Sequence, residues 1–140
     1  MGGATLLPLL YIFMTDDLMI DVLGRGRRPV VWISGAKKEL LLLPKLVIEE
    51  FAVGLRLAQH GEHHRKSKMM IGLGPGVYEA VLRYNRDTYR IVYTVHYRNA
   101  VYVITAFKKK SKKGIATDLP TTNKIRRRLH TIEDEERTSS

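Results

Sequence analysis

The residues best suited to binding an anion are concentrated in the last third of this sequence. The densest group is K-K-K-S-K-K at 108–113, five lysines in six residues, which directly follows the apolar run V-I-T-A-F at 103–107. A lysine run alone is usually a solvated tail. Lysines held next to other cations on a folded surface can instead bind a phosphate group. Which of the two applies depends on the side chains that the fold places beside this run.

Three strand-like runs lie before the lysine run, and the third ends at its first lysine. Short connections join the three runs, as in an antiparallel meander. They span Val77–Tyr84, Tyr89–Tyr97 and Ala100–Lys108. A four-residue loop after the first run would pair Ile91 with Leu82, and a two-residue turn after the second would pair Tyr93 with Ile104. Both registers place apolar residues opposite each other on the core face, which is the requirement that sets a register.

The opposite face, left open in this arrangement, would then carry the charges. Arg83 is predicted to lie across from Arg90, with Lys109 one diagonal step away and Glu79 further along the same face. Like charges opposite each other destabilise a sheet, and a bound anion would relieve that cost. The pattern therefore predicts a phosphate-sized site. The alternative, that both arginines are solvated and Glu79 neutralises one of them, remains open at this stage.

The other elements are needed to support this sheet. Val30–Ile33 predicts a short strand, and apolar residues at helical spacing over Ala36–Gln59, interrupted by Pro44, predict a helical hairpin. A last helix, capped by Thr117 or Thr121, would carry Ile125, Leu129 and Ile132. The order βααβββα predicts an α+β domain with the helices on one face of the sheet.

Composition narrows the class of protein. The chain has 140 residues, no cysteine and a formal net charge of +10, so it is expected to form one domain, without disulfides, that binds a polyanion or an acidic protein. No apolar run is long enough to cross a membrane. The apolar stretch at 6–14 lacks the basic start and small-residue cleavage site of a signal peptide, so a cytoplasmic location without membrane association is predicted.

Several other patterns have ordinary interpretations. H-G-E-H-H at 60–64 contains possible metal ligands, but a helix end at Gly61 would make their side chains diverge. G-L-G-P-G at 72–76 precedes a strand and is expected to be a turn rather than a nucleotide loop. His96 is either a proton shuttle or an exposed strand residue. We therefore predict neither a metal nor a cofactor.

Longer motifs resemble a known family. From about residue 29 to 133 the chain resembles the phage-derived, HigB-like branch of the RelE/ParE toxin superfamily. The resemblance rests on V-V-W-I-S-G-A-K-K-E-L, L-R-L-A-Q-H-G-E, K-S-K-M-M-I-G-L-G, V-Y-E-A-V-L-R-Y, T-Y-R-I-V-Y-T-V, A-F-K-K-K-S-K-K-G and I-R-R-R-L, in that order. The resemblance implies a RelE-like (microbial-RNase-like) fold: an N-terminal helical hairpin packed on an antiparallel sheet, followed by a C-terminal helix. It divides the chain into an extension (1–28), a toxin domain (29–136) and a tail (137–140).

The resemblance also implies an activity. Such toxins belong to type II toxin–antitoxin systems and cleave mRNA on the ribosome without metal, by attack of the ribose 2′-OH on the adjacent phosphate. The family's strand arginine corresponds to Arg90, and its basic position after the last strand corresponds to Lys109 or a neighbouring lysine. The expected partners are the ribosome, mRNA and a cognate antitoxin, which the resemblance implies to be a small DNA-binding protein.

One departure from the family affects the chemistry. The tyrosine that some relatives use as an acid is absent, because no tyrosine follows Tyr102. Proton transfer would then depend on a lysine, on His96 or on Glu79. The candidate catalytic residues are Arg83, Arg90, Lys109, Glu79 and His96, and the candidate RNA-binding residues are Lys66, Lys68, Lys108, Lys110, Lys112 and Lys113. The alternatives are an inactive toxin-fold module that binds nucleic acid or antitoxin, and a gyrase-directed toxin.

Overall fold

The computed structural model describes residues 28–110 and 117–139. The elements in chain order are β1 (Val30–Trp32), α1 (Ala36–Leu41), α2 (Lys45–Gln59), β2 (Ser67–Met69), β3 (Val77–Tyr84), β4 (Asp87–Thr94), β5 (Val101–Lys108) and α3 (Leu119–Ser139). Lys112, Lys113 and all but the last residue of the predicted 1–28 extension lie outside the described residues. Within the described part of the chain, no helix has the length and apolar character needed to cross a membrane.

The five strands form one sheet in the order β1-β5-β4-β3-β2. All neighbours are antiparallel except β1, which runs parallel to β5. The predicted α+β class and the helical hairpin are confirmed, and the architecture is consistent with a RelE-like fold. The three-residue strand β2 was not predicted, because Ser67–Met69 has no apolar alternation to indicate it.

Helices α1 and α2 cover the first face of the sheet. Pro44 precedes α2 and separates the two helices, as the sequence predicted. Phe51 and Leu55 of α2 pack with Ile91 and Tyr93 of β4 in the larger hydrophobic core. This is the face that strand alternation had assigned to the core, so the inward side of β4 is confirmed.

The second face is covered by α3, which corrects the prediction that all helices lie on one side. Ile125 and Ile132 are fully buried against Val92 and Ile104 in a second hydrophobic core. The helix begins after Asp118, whose carboxylate accepts hydrogen bonds from the backbone and hydroxyl of Thr121. Asp118 is thus the cap, rather than Thr117 or Thr121. The helix continues to Ser139, past the domain boundary drawn at 136.

The strand registers differ from the predicted ones by small steps. The turn between β3 and β4 has two residues, Asn85 and Arg86, both with positive φ, and Ile91 therefore pairs with Ala80 instead of Leu82. Arg90 pairs with Phe107, the partner that follows from the predicted pairing of Tyr93 with Ile104. Beyond that point a bulge between Val92 and Tyr93 shifts the register, so that Tyr93 pairs with Val103 and not with Ile104. The β4–β5 connection is also longer than two residues, since β4 ends at Thr94.

Two close contacts fix the far end of β4. Gly76 has a φ of +74°, and a Cβ there would lie 2.8–2.9 Å from the backbone and Cβ of His96, so glycine is required at this position. Arg28 donates from Nη1 to the carbonyl oxygens of Val95 and Tyr97 at 3.0 Å, and from Nη2 to the carbonyl of Ala58 at 3.1 Å. Burial lowers the pKa of Arg28 from its ordinary value. These bonds connect the end of β4 to the C-terminus of α2.

Candidate active site

A buried ion pair lies on the second face of the sheet, where β3 and β4 are neighbours. Nη1 of Arg90 is 3.0 Å from Oε2 of Glu79, and each side chain is only 5% exposed. Arg90 pairs with Val81 across the strands, so Glu79 is its diagonal neighbour on the same face. Because α3 covers this face, a charge here must be paired to remain in the fold.

Two further side chains extend the pair. Nη1 of Arg90 also donates to Oγ1 of Thr117, at 3.1 Å, just before α3 begins. On the other side, Nζ of Lys68 is 3.6 Å from Oε1 of Glu79, since Lys68 and Glu79 are register partners in β2 and β3. The side chain of Lys68 is 59% exposed. The Glu79 carboxylate therefore lies between a buried guanidinium and an ammonium that faces solvent.

An open groove of about 490 Å³ gives access to this group. The strand and loop from 68 to 73 form one side, and the start of α3 forms the other. It is lined by Lys68, Met69, Met70, Ile71, Leu73, Glu79, Arg90, Thr117, Thr122 and Arg126. Of the residues that the structure describes, three cations and a single carboxylate thus line it, which suits an anionic ligand that also requires a proton acceptor.

The register confirms one part of the predicted grouping of Arg83, Arg90 and Lys109 and contradicts the other: Lys109 lies one diagonal step from Arg90, but Arg83 is not opposite it. Arg83 pairs with Thr88, is exposed and does not line the groove, so the expectation that it lies opposite Arg90 is wrong. The backbone N–H of Lys109 donates to the carbonyl of Thr88 at 2.8 Å, which continues the ladder beyond β5. Lys109 is partly buried and lies in the same cross-strand row as Arg83 and Thr88, beside the row of Arg90.

The other predicted lysines separate into different places. Lys68 lines the groove, whereas Lys66 lines a small cavity beside Phe51 and Ala80 on the first face. Nζ of Lys108 is 3.8 Å from Oδ2 of Asp87, and Lys110 is exposed. The structure therefore brings only Lys68, of the described lysines predicted to bind RNA, to the Glu79–Arg90 pair.

His96 does not join this site. It is exposed, stacks edge-on against Tyr97 and lines a separate groove of about 530 Å³ at the other end of the same face. The predicted open face is accordingly not open: its middle is covered by α3, and a groove remains at either end. Glu79, a predicted proton carrier, lies instead beside Lys68, which was predicted only to bind RNA.

The histidines of the 60–64 motif have separate partners, as their predicted divergence required. His64 contacts Oε1 of Glu50 at 2.7 Å, while Nδ1 of His63 is 3.0 Å from the Tyr93 hydroxyl and its ring stacks on Tyr78 at 4.0 Å. Burial, and then the charge of Arg28, lower the pKa of His63. Across residues 28–110 and 117–139, no three potential ligands among His, Cys, Asp and Glu converge as a metal site would need.

Sequence reasoning missed Arg126 and Thr117 as groove residues. Arg126 is the first residue of R-R-R at 126–128, and consecutive helical residues point in different directions. Arg126 faces the groove, Arg127 is exposed, and Arg128 turns toward α1. The helical spacing of Thr122 and Arg126, four residues apart, could have indicated that they share a side, but not which side.

Arg128 fixes α3 over the sheet. Its Nη1 and Nη2 bind the two carboxylate oxygens of Glu39 in α1 at 2.7 and 3.0 Å, and Nη1 also donates to the carbonyl of Ile104. Thr105 and Lys124 donate to the same carboxylate. This cluster joins α1, β5 and α3, and thereby sets the position of the groove side that α3 provides.

We expect Glu39 to make the stability of the fold sensitive to acid. Burial raises the pKa of Glu39, but the hydrogen bonds from Arg128 and Thr105 and the charges of Arg128 and Lys124 outweigh it and hold that pKa below 4.5. The stabilisation is thus fully present above the unfolded-state pKa and is lost as the pH falls through the lower folded-state pKa. The melting temperatures of wild type and Glu39→Gln should therefore differ at pH 7, and the difference should shrink progressively as the pH falls below 4.5. A constant difference across that range would contradict the assignment.

Comparison with known proteins identifies a protein family that matches this sequence. A family model described as "Phage derived protein Gp49-like (DUF891)" matches residues 38–130, about two-thirds of the chain. The matched range runs from α1 to the middle of α3 and includes every residue that lines the groove. No curated protein and no solved structure matches the chain.

Proposed function

Because the chain belongs to the Gp49-like family of phage-derived proteins, a toxin-like family within the RelE/HigB-like toxin superfamily, we propose that it is the toxin of a type II toxin–antitoxin pair and cleaves mRNA on the ribosome. The observation that supports this proposal most is the groove that Lys68, Arg90 and Arg126 line together with the Glu79 carboxylate. Cations there suit the RNA backbone, and a carboxylate suits proton transfer from a ribose hydroxyl.

The proposed chemistry needs no group beyond these side chains. Glu79 accepts the proton of the ribose 2′-OH, whose oxygen then bonds to the adjacent phosphorus. The bond from phosphorus to the 5′ oxygen breaks, Lys68 donates a proton to that oxygen, and the products are a 2′,3′-cyclic phosphate and a 5′-OH. Lys68 and Glu79 are 3.6 Å apart, so a proton can pass back between them and restore both.

The cations have distinct tasks in this proposal. Arg90 is buried and donates to Glu79, so it orients the base and stabilises negative charge from the floor of the groove. Arg126 is exposed on α3 and holds a phosphate on the opposite side. Lys108, Lys109, Lys110 and Arg83 lie outside the groove lining and contribute to the attraction of RNA and ribosome through their charge. Lys112 and Lys113, outside the described residues, are proposed to do the same.

A second candidate function is supported by the burial of the ion pair. Glu79 and Arg90 already satisfy one another, as they would in a toxin-fold module that binds nucleic acid or antitoxin without cutting RNA. The two candidates share the fold and the basic groove. They differ in whether RNA is broken.

Induction of the protein alone, followed by mapping of RNA 5′ ends, separates the two candidates. The RNase proposal predicts growth arrest accompanied by new mRNA ends that carry 5′-hydroxyls and accumulate within translated regions. Pretreatment with an antibiotic that removes mRNA from ribosomes should suppress these ends. Growth arrest without new ends would refute the RNase proposal and favour the binding module.

A further inference from the structure

The two large grooves on the second face adjoin at one residue, and we call the pair of them the trench. Leu73 lines both of them. One side of the trench is the segment from Lys68 to Val77, and the other is α3 from Thr122 to Arg137. These fifteen helical steps correspond to about 22 Å, the length of about seven residues of extended polypeptide.

The two ends of the trench carry opposite charge. Lys68, Arg90 and Arg126 line one end together with Glu79. At the other end Glu133 and Glu136 line the groove, with Arg137 as the cation facing them, 3.5 Å from both Glu133 and Asp134. Glu136 accepts a short hydrogen bond from the Tyr102 hydroxyl, so it is held in place. The chain has a net charge of +10, which makes a locally acidic groove informative about its ligand.

Between the charged ends the trench is apolar. Leu73 and Val77 lie on one side and Leu129 on the other, and Ile71, which lines the basic groove, is 98% exposed at the rim. An exposed apolar rim beside polar residues is typical of a surface that binds another protein. RNA suits the basic end only, because its phosphates would be repelled by Glu133 and Glu136.

We propose that this trench binds an extended segment of the antitoxin with a bipolar charge pattern. The segment has acidic residues for the Lys68–Arg126 end, apolar residues for the middle and basic residues for the Glu133–Glu136 end. The identity of the partner rests on the proposed function, whereas the charge pattern rests on the trench itself. Such a segment would exclude RNA from the basic end while gaining selectivity from the acidic end, which RNA does not use.

The trench is tested with two labelled synthetic peptides of identical composition. One has a glutamate block, a leucine–alanine block and a lysine block, and the other has the same residues scrambled. We expect the block peptide to bind wild type about fivefold more tightly at low ionic strength, as measured by fluorescence anisotropy. Glu133→Lys should abolish that preference, while Glu135→Lys, the same charge reversal on an exposed residue outside the lining, should retain it.

The outcomes separate this inference from the proposed function. Equal affinity of wild type for the two peptides, or an unchanged preference in Glu133→Lys, would overturn the bipolar trench even if the protein cleaves RNA. Preference for the block peptide without RNA cleavage would retain the trench and refute the RNase. Glu133 is exposed at the protein surface, so thermal unfolding should show both variants folded.

Discussion

Replacing Arg90 with methionine is expected to lower the free energy of unfolding by about 3 kcal/mol. The substitution leaves the Glu79 carboxylate buried without the guanidinium that now lies 3.0 Å from it. Lys68, at 3.6 Å and largely in solvent, compensates for only part of that loss. Urea denaturation followed by circular dichroism measures the change, with unfolding slopes compared to verify that both proteins unfold in one step.

A second substitution distinguishes loss of a pair from loss of packing. Glu79→Leu in the Arg90→Met background removes the remaining buried charge, so most of the lost stability should return, because an apolar pair of similar volume is often neutral relative to a buried ion pair. A double variant as unstable as the sum of the two single variants would show that the residues do not interact. The double variant, although its stability is restored, should still not cleave RNA, since it lacks both Glu79 and Arg90.

The error in the predicted grouping of cations has a definite physical source. Apolar alternation determines which side of a strand faces the core, and it was right for Ile91 and Tyr93. It does not distinguish registers that differ by two residues, because both keep the same faces together. The two-residue turn of Asn85 and Arg86 sets the register, and in this register Arg83 pairs with Thr88 instead of Arg90.

The position of α3 was the second feature that sequence could not supply. Its apolar residues Ile125, Leu129 and Ile132 were identified, but periodicity gives a buried side of a helix without naming the layer it packs on. Because α3 packs on the second face, the face that was predicted to be open is covered in its middle and accessible only through a groove at each end. It also brought Arg126 and Thr117 to Glu79 and Arg90, a contact between segments that no local pattern indicates.

Strand β2 explains why Lys68 was assigned only to the RNA backbone. A three-residue edge strand carries no periodic pattern, so nothing in K-S-K-M-M placed either lysine on the sheet. Once β2 pairs with β3, Lys68 lies opposite Glu79, and the two side chains meet. Lys66, two residues earlier, lies by the first face instead.

This contrast allows a matched test of the chemistry, because Lys68→Gln should reduce RNA cleavage about 100-fold while Lys66→Gln leaves it nearly unchanged. Both substitutions remove one positive charge from exposed positions two residues apart, so long-range attraction of RNA falls equally. Only Lys68 reaches the groove, where its ammonium is placed to protonate the leaving oxygen. Stability should change by about 1 kcal/mol or less in either variant.

Cleavage is measured as initial rates on the same translated mRNA, at protein concentrations that saturate RNA binding, so that affinity and catalysis are separated. A 100-fold loss in Lys68→Gln at saturation assigns Lys68 to the chemical step, since weaker binding alone is overcome by concentration. Full rates in both variants at saturation, with losses only at lower protein concentrations, would mean that both lysines act only by attracting RNA. In that event the leaving 5′ oxygen would need another proton donor, and the acid would have to come from a residue outside the groove.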